Sequence, residues 1–168
     1  MTLRLMYDNP RRGQRGLFCV RKIPPAQCES VDLSSWSLAA VGAEPIREEA
    51  LERFIETFGP YGFQRRAFYP CYGLAEATLI VSGGPRSPRI STKNLQKEAL
   101  EQNQALEVVT EDDAAQRVVG CGRALHNQKI FVVHPESLEA CAPGELGEIC
   151  VAGPSVKPRS LRKDFRRT

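Results

Sequence analysis

The chain has 168 residues, 42% of them hydrophobic, and a formal net charge of +3. That length suits one ordinary domain, the composition argues against disorder through the middle, and so small a positive excess does not argue for nucleic acid. No apolar run approaches the roughly 20 residues of a membrane span. The start, Met1-Thr2-Leu3-Arg4-Leu5-Met6-Tyr7, lacks a signal's apolar core, so the expected localisation is cytoplasmic.

In chain order, Pro24-Pro25 opens a short helical segment ending near Val31. Ser37-Leu38-Ala39-Ala40-Val41 is a brief apolar run closed by Gly42, which predicts a buried strand. Pro45 is expected to start a helix, where its missing N–H is harmless. Within that helix Ala50, Leu51, Phe54, Ile55 and Phe58 form an apolar stripe opposite Arg47, Glu48, Glu49, Glu52, Arg53 and Glu56. Gly59-Pro60 stops it. Strands are expected over residues 67–72 and 77–81, the second closing at Ser82-Gly83-Gly84-Pro85. Strand, helix, strand suggests a parallel unit.

Residues 86–118 are polar, and the spacing predicts a short helix over 94–103 between solvated connections. Gln128 to His134 reads as a strand, residues 135–143 as a loop, and Glu148 to Ala152 as the returning strand of a hairpin. Cys19, Cys28, Cys71, Cys121, Cys141 and Cys150 are scattered without a CxxC pair, which predicts free thiols and no zinc site. His126 and His134 have no acidic partner at a telling spacing, and no Ser/His/Asp triad can be assembled. Arg65 and Arg66 fit a solvated loop pair better than a phosphate contact.

The run Phe68-Tyr69-Pro70-Cys71-Tyr72-Gly73-Leu74-Ala75-Glu76-Ala77-Thr78 is the most informative feature. A strand end delivers a flat ring, a small backbone position and an acid to one place. A tyrosine ring can cover a purine face, and glycine admits close backbone approach. One carboxylate beside phosphates is the usual way to hold magnesium. On these residues alone, a buried tyrosine beside a solvated glutamate is an equal reading.

Two further motifs flank this run: Val41-Gly42-Ala43-Glu44-Pro45, and Gly144-Glu145-Leu146-Gly147-Glu148-Ile149-Cys150-Val151-Ala152-Gly153-Pro154-Ser155-Val156. In this order the three resemble the adenylate-forming enzymes: acyl-CoA synthetases, peptide-synthetase adenylation domains and luciferases. The wording of Cys19-Val20-Arg21-Lys22-Ile23, Asp32-Leu33-Ser34-Ser35-Trp36, Gly42 to Ile46, Tyr72 to Thr78 and Val119-Gly120-Cys121-Gly122-Arg123 is similar to the fatty acyl-AMP ligase branch. Ala75, where other branches carry threonine or serine, favours the same branch. The resemblance implies an α/β fold, an incomplete part of that family's large N-terminal domain. It comprises a parallel strand-helix-strand unit followed by a β-rich piece. It covers residues 18–156 as a partial AMP-binding domain, between a divergent end over 1–17 and a divergent basic tail over 157–168. That tail, with Lys157, Arg159, Arg162, Lys163, Arg166 and Arg167, fits either a frame-disrupted gene end or a solvated tail.

The implied chemistry is attack of a fatty carboxylate on the α-phosphorus of ATP, expelling pyrophosphate and leaving an acyl-adenylate. In the intact relative the acceptor would be an acyl carrier protein or a polyketide or peptide synthase. Glu76 matches the family's catalytic, magnesium-associated glutamate. Tyr72 matches the ring against adenine, Gly73 the position beside it, and Gly42, Ala43 and Glu44 the segment lining the adenine pocket from the other side. Thr78 is the nearest hydroxyl to the phosphate position that Ala75 leaves without one. An inserted segment distinguishing the branch falls near residues 86–118. The family's phosphate loop, ribose-binding aspartate and C-terminal lysine are not recognisable, so the chain is expected to be inactive alone. The alternatives are an acyl-CoA synthetase fragment using CoA, and a non-catalytic interaction module completed at its sheet edges by a partner.

Overall fold

The structure, a computed structural model, describes residues 4–6, 20, 22–84, 90–109, 113–125 and 127–156. The expectations for Cys19, His126 and the 157–168 tail, and most of the 1–17 end, lie outside the described residues. One sheet organises the part that carries the Tyr72 motif. Strands β1 (Arg4–Met6), β2 (Ala39–Val41) and β3 (Phe68–Tyr72) run parallel. Strand β4 (Ser82–Gly83) joins β3 antiparallel, and a late strand at Arg123–Ala124 closes the order on the other side of β4. Strand β1 falls inside the end set apart as divergent, where the three residues Arg4-Leu5-Met6 give too short a pattern to read.

A short helix α1 (Pro25–Cys28) precedes β2, and helix α2 (Glu48–Phe58) links β2 to β3. This is the parallel strand-helix-strand unit that the sequence pattern predicts. Helix α2 starts later than expected: Arg47 is still extended (φ −100, ψ 127), so Pro45 lies in the approach to the helix rather than in its first turn. Glu48 and Glu49 then occupy the first turn, where carboxylates meet the positive end of the helix dipole. Its apolar stripe buries Leu51, Phe54 and Phe58.

Phe54 is the centre of an aromatic core. Its ring centroid lies 4.5 Å from Phe58, 4.9 Å from Phe63, 5.8 Å from Phe68 and 6.3 Å from Trp36. Most of these contacts are edge-to-face, the arrangement aromatic quadrupoles favour. Trp36 satisfies its indole N–H by donating to the Leu38 carbonyl at 2.9 Å. Phe68 carries this packing onto β3 and fixes the helix against the strand that ends at Tyr72.

Two sequence expectations are corrected here. Residues 77–81 do not form a strand. A single 3-10 turn (Ala75–Ala77) is followed by Thr78 and Leu79 with positive φ (57 and 86), and the chain doubles back so that only Ser82–Gly83 pairs with β3. Nor is 94–103 one helix. Thr92–Gln96 is strand β5, helix α3 covers Lys97–Glu101, and β5 pairs antiparallel with β6 (Ala115–Val119). With the Arg123–Ala124 strand as β7, the final hairpin is β8 (Lys129–Val133) against β9 (Glu148–Ala152), the hairpin expected from the sequence, and its register sets Phe131 opposite Cys150.

Candidate functional site

The carboxyl ends of β2 and β3 lie side by side. Both strands run the same way and their register sets Val41 against Pro70. Residues 42–44 therefore leave the sheet beside Cys71 and Tyr72. In open α/β sheets this crevice beyond the carboxyl ends of parallel strands is where ligands sit. The structure thus sets Gly42 beside Cys71, so that Ala43 and Glu44 follow one parallel strand end while Tyr72, Gly73 and Glu76 lie at or beyond the adjacent one.

Each position has its own local cause. A Cβ on Gly42 would strike the Cys71 carbonyl and stand 3.2 Å from the Cys71 sulfur, so only glycine lets the two strand ends close up. Ala43 follows with φ 71, exposed, in a region that residues with a Cβ adopt at a cost. Glu44 is half-buried and engaged within the chain. Tyr72 is half-buried at the end of β3, its carbonyl accepting the Val81 N–H at 2.9 Å. A Cβ on Gly73 would run into the Leu79 carbonyl. The close backbone approach at this glycine is thus made by the chain's own return loop.

Glu76 stands exposed in the 3-10 turn, while its neighbour Ala77 is fully buried and anchors that turn. The Leu74 carbonyl accepts the N–H groups of Ala77 and Leu79, each at 3.1 Å. Thr78, the hydroxyl nearest the motif in sequence, donates to the Ser155 carbonyl at 2.9 Å and is committed there. Arg66 is exposed, as a solvated loop residue would be, whereas Arg65 forms an ion pair with Glu52 of α2. His134 is exposed at the end of β8.

The thiols at the site are protected. Burial, then the neighbouring Cys121, pushes Cys71 above the ordinary 9.0, and its S–H donates to the Val41 carbonyl at 3.5 Å. Burial alone raises Cys121. Both are therefore neutral near pH 7 and poor nucleophiles. Away from the site, the backbone N–H of Ser34 holds the Asp32 carboxyl below 3.8.

Among the described residues no group of three or more His, Cys, Asp or Glu side chains could cage a metal. Magnesium does not require one. It keeps most of its waters and takes one or two carboxylates plus substrate phosphates. A solvent-facing carboxylate, as at Glu76, fits that donor set.

What the sequence did not reveal is the far side of this loop. Gln128 donates through Nε2 to the Ile80 carbonyl (3.3 Å) and to the Ser155 hydroxyl (2.7 Å). These partners lie 48 and 27 residues away, so no local pattern could have linked them.

Residues 6–159 match the profile of the AMP-binding enzyme family. The chain is 43% identical over 140 residues to the medium-chain fatty-acid acyl-carrier-protein ligase JamA of Moorena producens, covering 82% of this chain and 24% of that protein. It is 34% identical over 144 residues to the corresponding ligase TtuA of Teredinibacter turnerae, covering 86% and 22%. Among solved structures, the fatty acyl-adenylate ligase of Legionella pneumophila in complex with acyl adenylate and pyrophosphate superposes with a TM-score of 0.77. That match has 38% identity and covers 86% of this chain and 26% of that one. The chain thus spans about a quarter of the length of the relatives it matches.

Proposed function

The chain belongs to the AMP-binding enzyme family, and from that premise we propose that it supplies the adenine- and magnesium-facing wall of a fatty acyl-AMP ligase. The observation that supports this reading is that residues 42–44 and the Tyr72–Glu76 segment leave adjacent, parallel strand ends. In the whole enzyme a fatty carboxylate would attack the α-phosphorus of ATP, forming the acyl–phosphate bond as pyrophosphate leaves. The acyl group would then pass, with release of AMP, to an acyl carrier protein, the acceptor that the names of the Moorena and Teredinibacter relatives carry.

The roles follow from the residue chemistry. The Tyr72 ring offers a flat apolar surface to adenine, and the backbone of residues 42–44 lines the opposite side. Glycine at 42 lets the two strand ends close up, and glycine at 73 admits the return loop at Leu79. Glu76 would hold magnesium, which when bound neutralises the charge that gathers at the phosphorus. No side chain here need act as a covalent nucleophile. Positioning and electrostatic stabilisation carry such a reaction.

Titration calorimetry with ATP and magnesium tests the assignment on the 168-residue chain itself. Tyr72→Ala should weaken binding with or without magnesium, whereas Glu76→Gln should weaken only the magnesium-dependent part. Binding that ignores both substitutions would remove the site from this crevice.

A further inference from the structure

Residues 75–80 carry Glu76 through a conformation that local chemistry disfavours. Thr78 and Leu79 stand in succession in the left-handed region (φ 57 and 86), which a β-branched or bulky residue rarely adopts. Leu79 gains little burial in return, being 50% exposed. The bonds to the Leu74 carbonyl are local and close a single turn. Ala77 and Val81 are buried on either side and Val81 bonds back to Tyr72, but the side-chain contacts to the loop between them come from residues 128 and 155.

Gln128 immediately precedes β8 and Ser155 lies just beyond β9, so both stand at the open end of the final hairpin. From there Gln128 Nε2 reaches the Ile80 carbonyl and the Ser155 hydroxyl, and the Ser155 carbonyl accepts the Thr78 hydroxyl. Together they fasten the loop on both sides of Leu79. The Gln128 Oε1 atom is buried and without a partner. Turning the amide over would set that oxygen against the Ile80 carbonyl, two acceptors facing each other, so the donor orientation is the one that fits. A dry unpaired acceptor carries a cost, and it is tolerated here where the two donated bonds are kept.

We propose that Gln128 is a positioning residue: its side-chain amide latches the open end of the β8–β9 hairpin to the loop that carries Glu76. The consequence for magnesium rests on the reading of Glu76 given above; the latch itself does not. Through it, the hairpin and the carboxylate move as one piece, and the geometry at Glu76 depends on a residue that touches no substrate.

The test uses the full 168-residue chain and Gln128→Met, which keeps the side chain's bulk and removes its donor, with Thr78→Val as a second, exposed lesion in the same latch. Amide hydrogen exchange is read at Leu79 and Val81 and, as the reference, in the β2–β3 ladder. ATP binding is titrated with magnesium in wild type, Gln128→Met and Glu76→Gln. The latch predicts about tenfold faster exchange at Leu79 and Val81 with the β2–β3 ladder unchanged. It also predicts a severalfold higher magnesium concentration for half-maximal ATP binding in Gln128→Met. Unchanged loop exchange in both variants overturns the proposal. A uniform rise across the sheet also overturns it, since Gln128 would then be an ordinary stability residue. If Glu76→Gln shifts the magnesium dependence and Gln128→Met does not, the positioning role fails while the Glu76 reading stands. If the loop loosens but Glu76→Gln leaves magnesium dependence untouched, the latch is upheld and the Glu76 reading fails.

Discussion

At Gly73 the missing side chain is a packing requirement, because the Leu79 carbonyl occupies the space a Cβ would need. Gly73→Ala must push the return loop away from β3 and should cost about 1–3 kcal/mol, the usual range for overpacking against backbone. Urea unfolding measures it, and an alanine variant as stable as wild type would show that the loop yields freely. The two thiols allow a pH test. Burial raises Cys71 and Cys121 above 9.0, so the fold favours their neutral forms. That stabilisation is fully present below the ordinary value and is lost as pH climbs through the raised ones. Iodoacetamide labelling of the folded chain should therefore lag that of the unfolded chain at these two cysteines across the alkaline range. Equal labelling curves would mean the thiols are not withdrawn from solvent.

Helix α2 and the parallel pair it joins were legible in the sequence because one strong signal, the stripe from Ala50 to Phe58, fixed the helix and its buried face together. Phe54→Ala should remove about 3–5 kcal/mol, since its ring meets four others in a packed core. Thermal or urea denaturation checks this, and a loss under about 1 kcal/mol would mean the core collapses around the gap. The return after Tyr72 was not legible. Residues 77–81 look like a strand by composition, and only the successive positive φ values at Thr78 and Leu79, enforced by distant partners, turn the chain back. Strand β5 failed for another reason. Lys93 and Gln96 sit on a two-stranded ribbon with little core behind it, so its polar residues carried no alternation and suggested a helix with the residues that follow. Lys93 pairs with Glu107 at 2.7 Å across that ribbon's edge, an exposed contact of small energetic weight. The run proposed for the site was readable as a strand end in the sequence, whereas the contacts that hold its loop were not. Tyr72 and Glu76 announce themselves in eleven consecutive residues, whereas Gln128 and Ser155 do not.

At the scale of the whole molecule, the chain is proposed to supply one wall of the site rather than the whole of it. The final hairpin leaves Phe131 and Ile149 nearly half exposed (46% and 47%), and the chain spans about a quarter of its relatives' length. A polypeptide of these 168 residues by itself should bind ATP weakly, because a ligand left largely in water recovers little against the ordering cost of association. It should not exchange pyrophosphate into ATP when fatty acid is added. The informative experiment transplants residues 20–156 into the corresponding quarter of the Moorena producens relative, with which the chain shares 43% identity. Conservation of volume and pattern at that level is compatible with a folded chimera. Such a chimera should regain fatty-acid-dependent pyrophosphate exchange. Within it, Glu76→Gln should lower kcat at least about tenfold and change the KM for ATP less, because the magnesium it would hold matters most as charge develops at phosphorus. Tyr72→Ala should act the other way, raising KM for ATP more than it lowers kcat, because stacking on adenine is the same in ground and transition states. A folded chimera without exchange activity would mean that this segment has lost the ability to serve the reaction. An active chimera indifferent to Glu76→Gln would move the magnesium-associated carboxylate elsewhere.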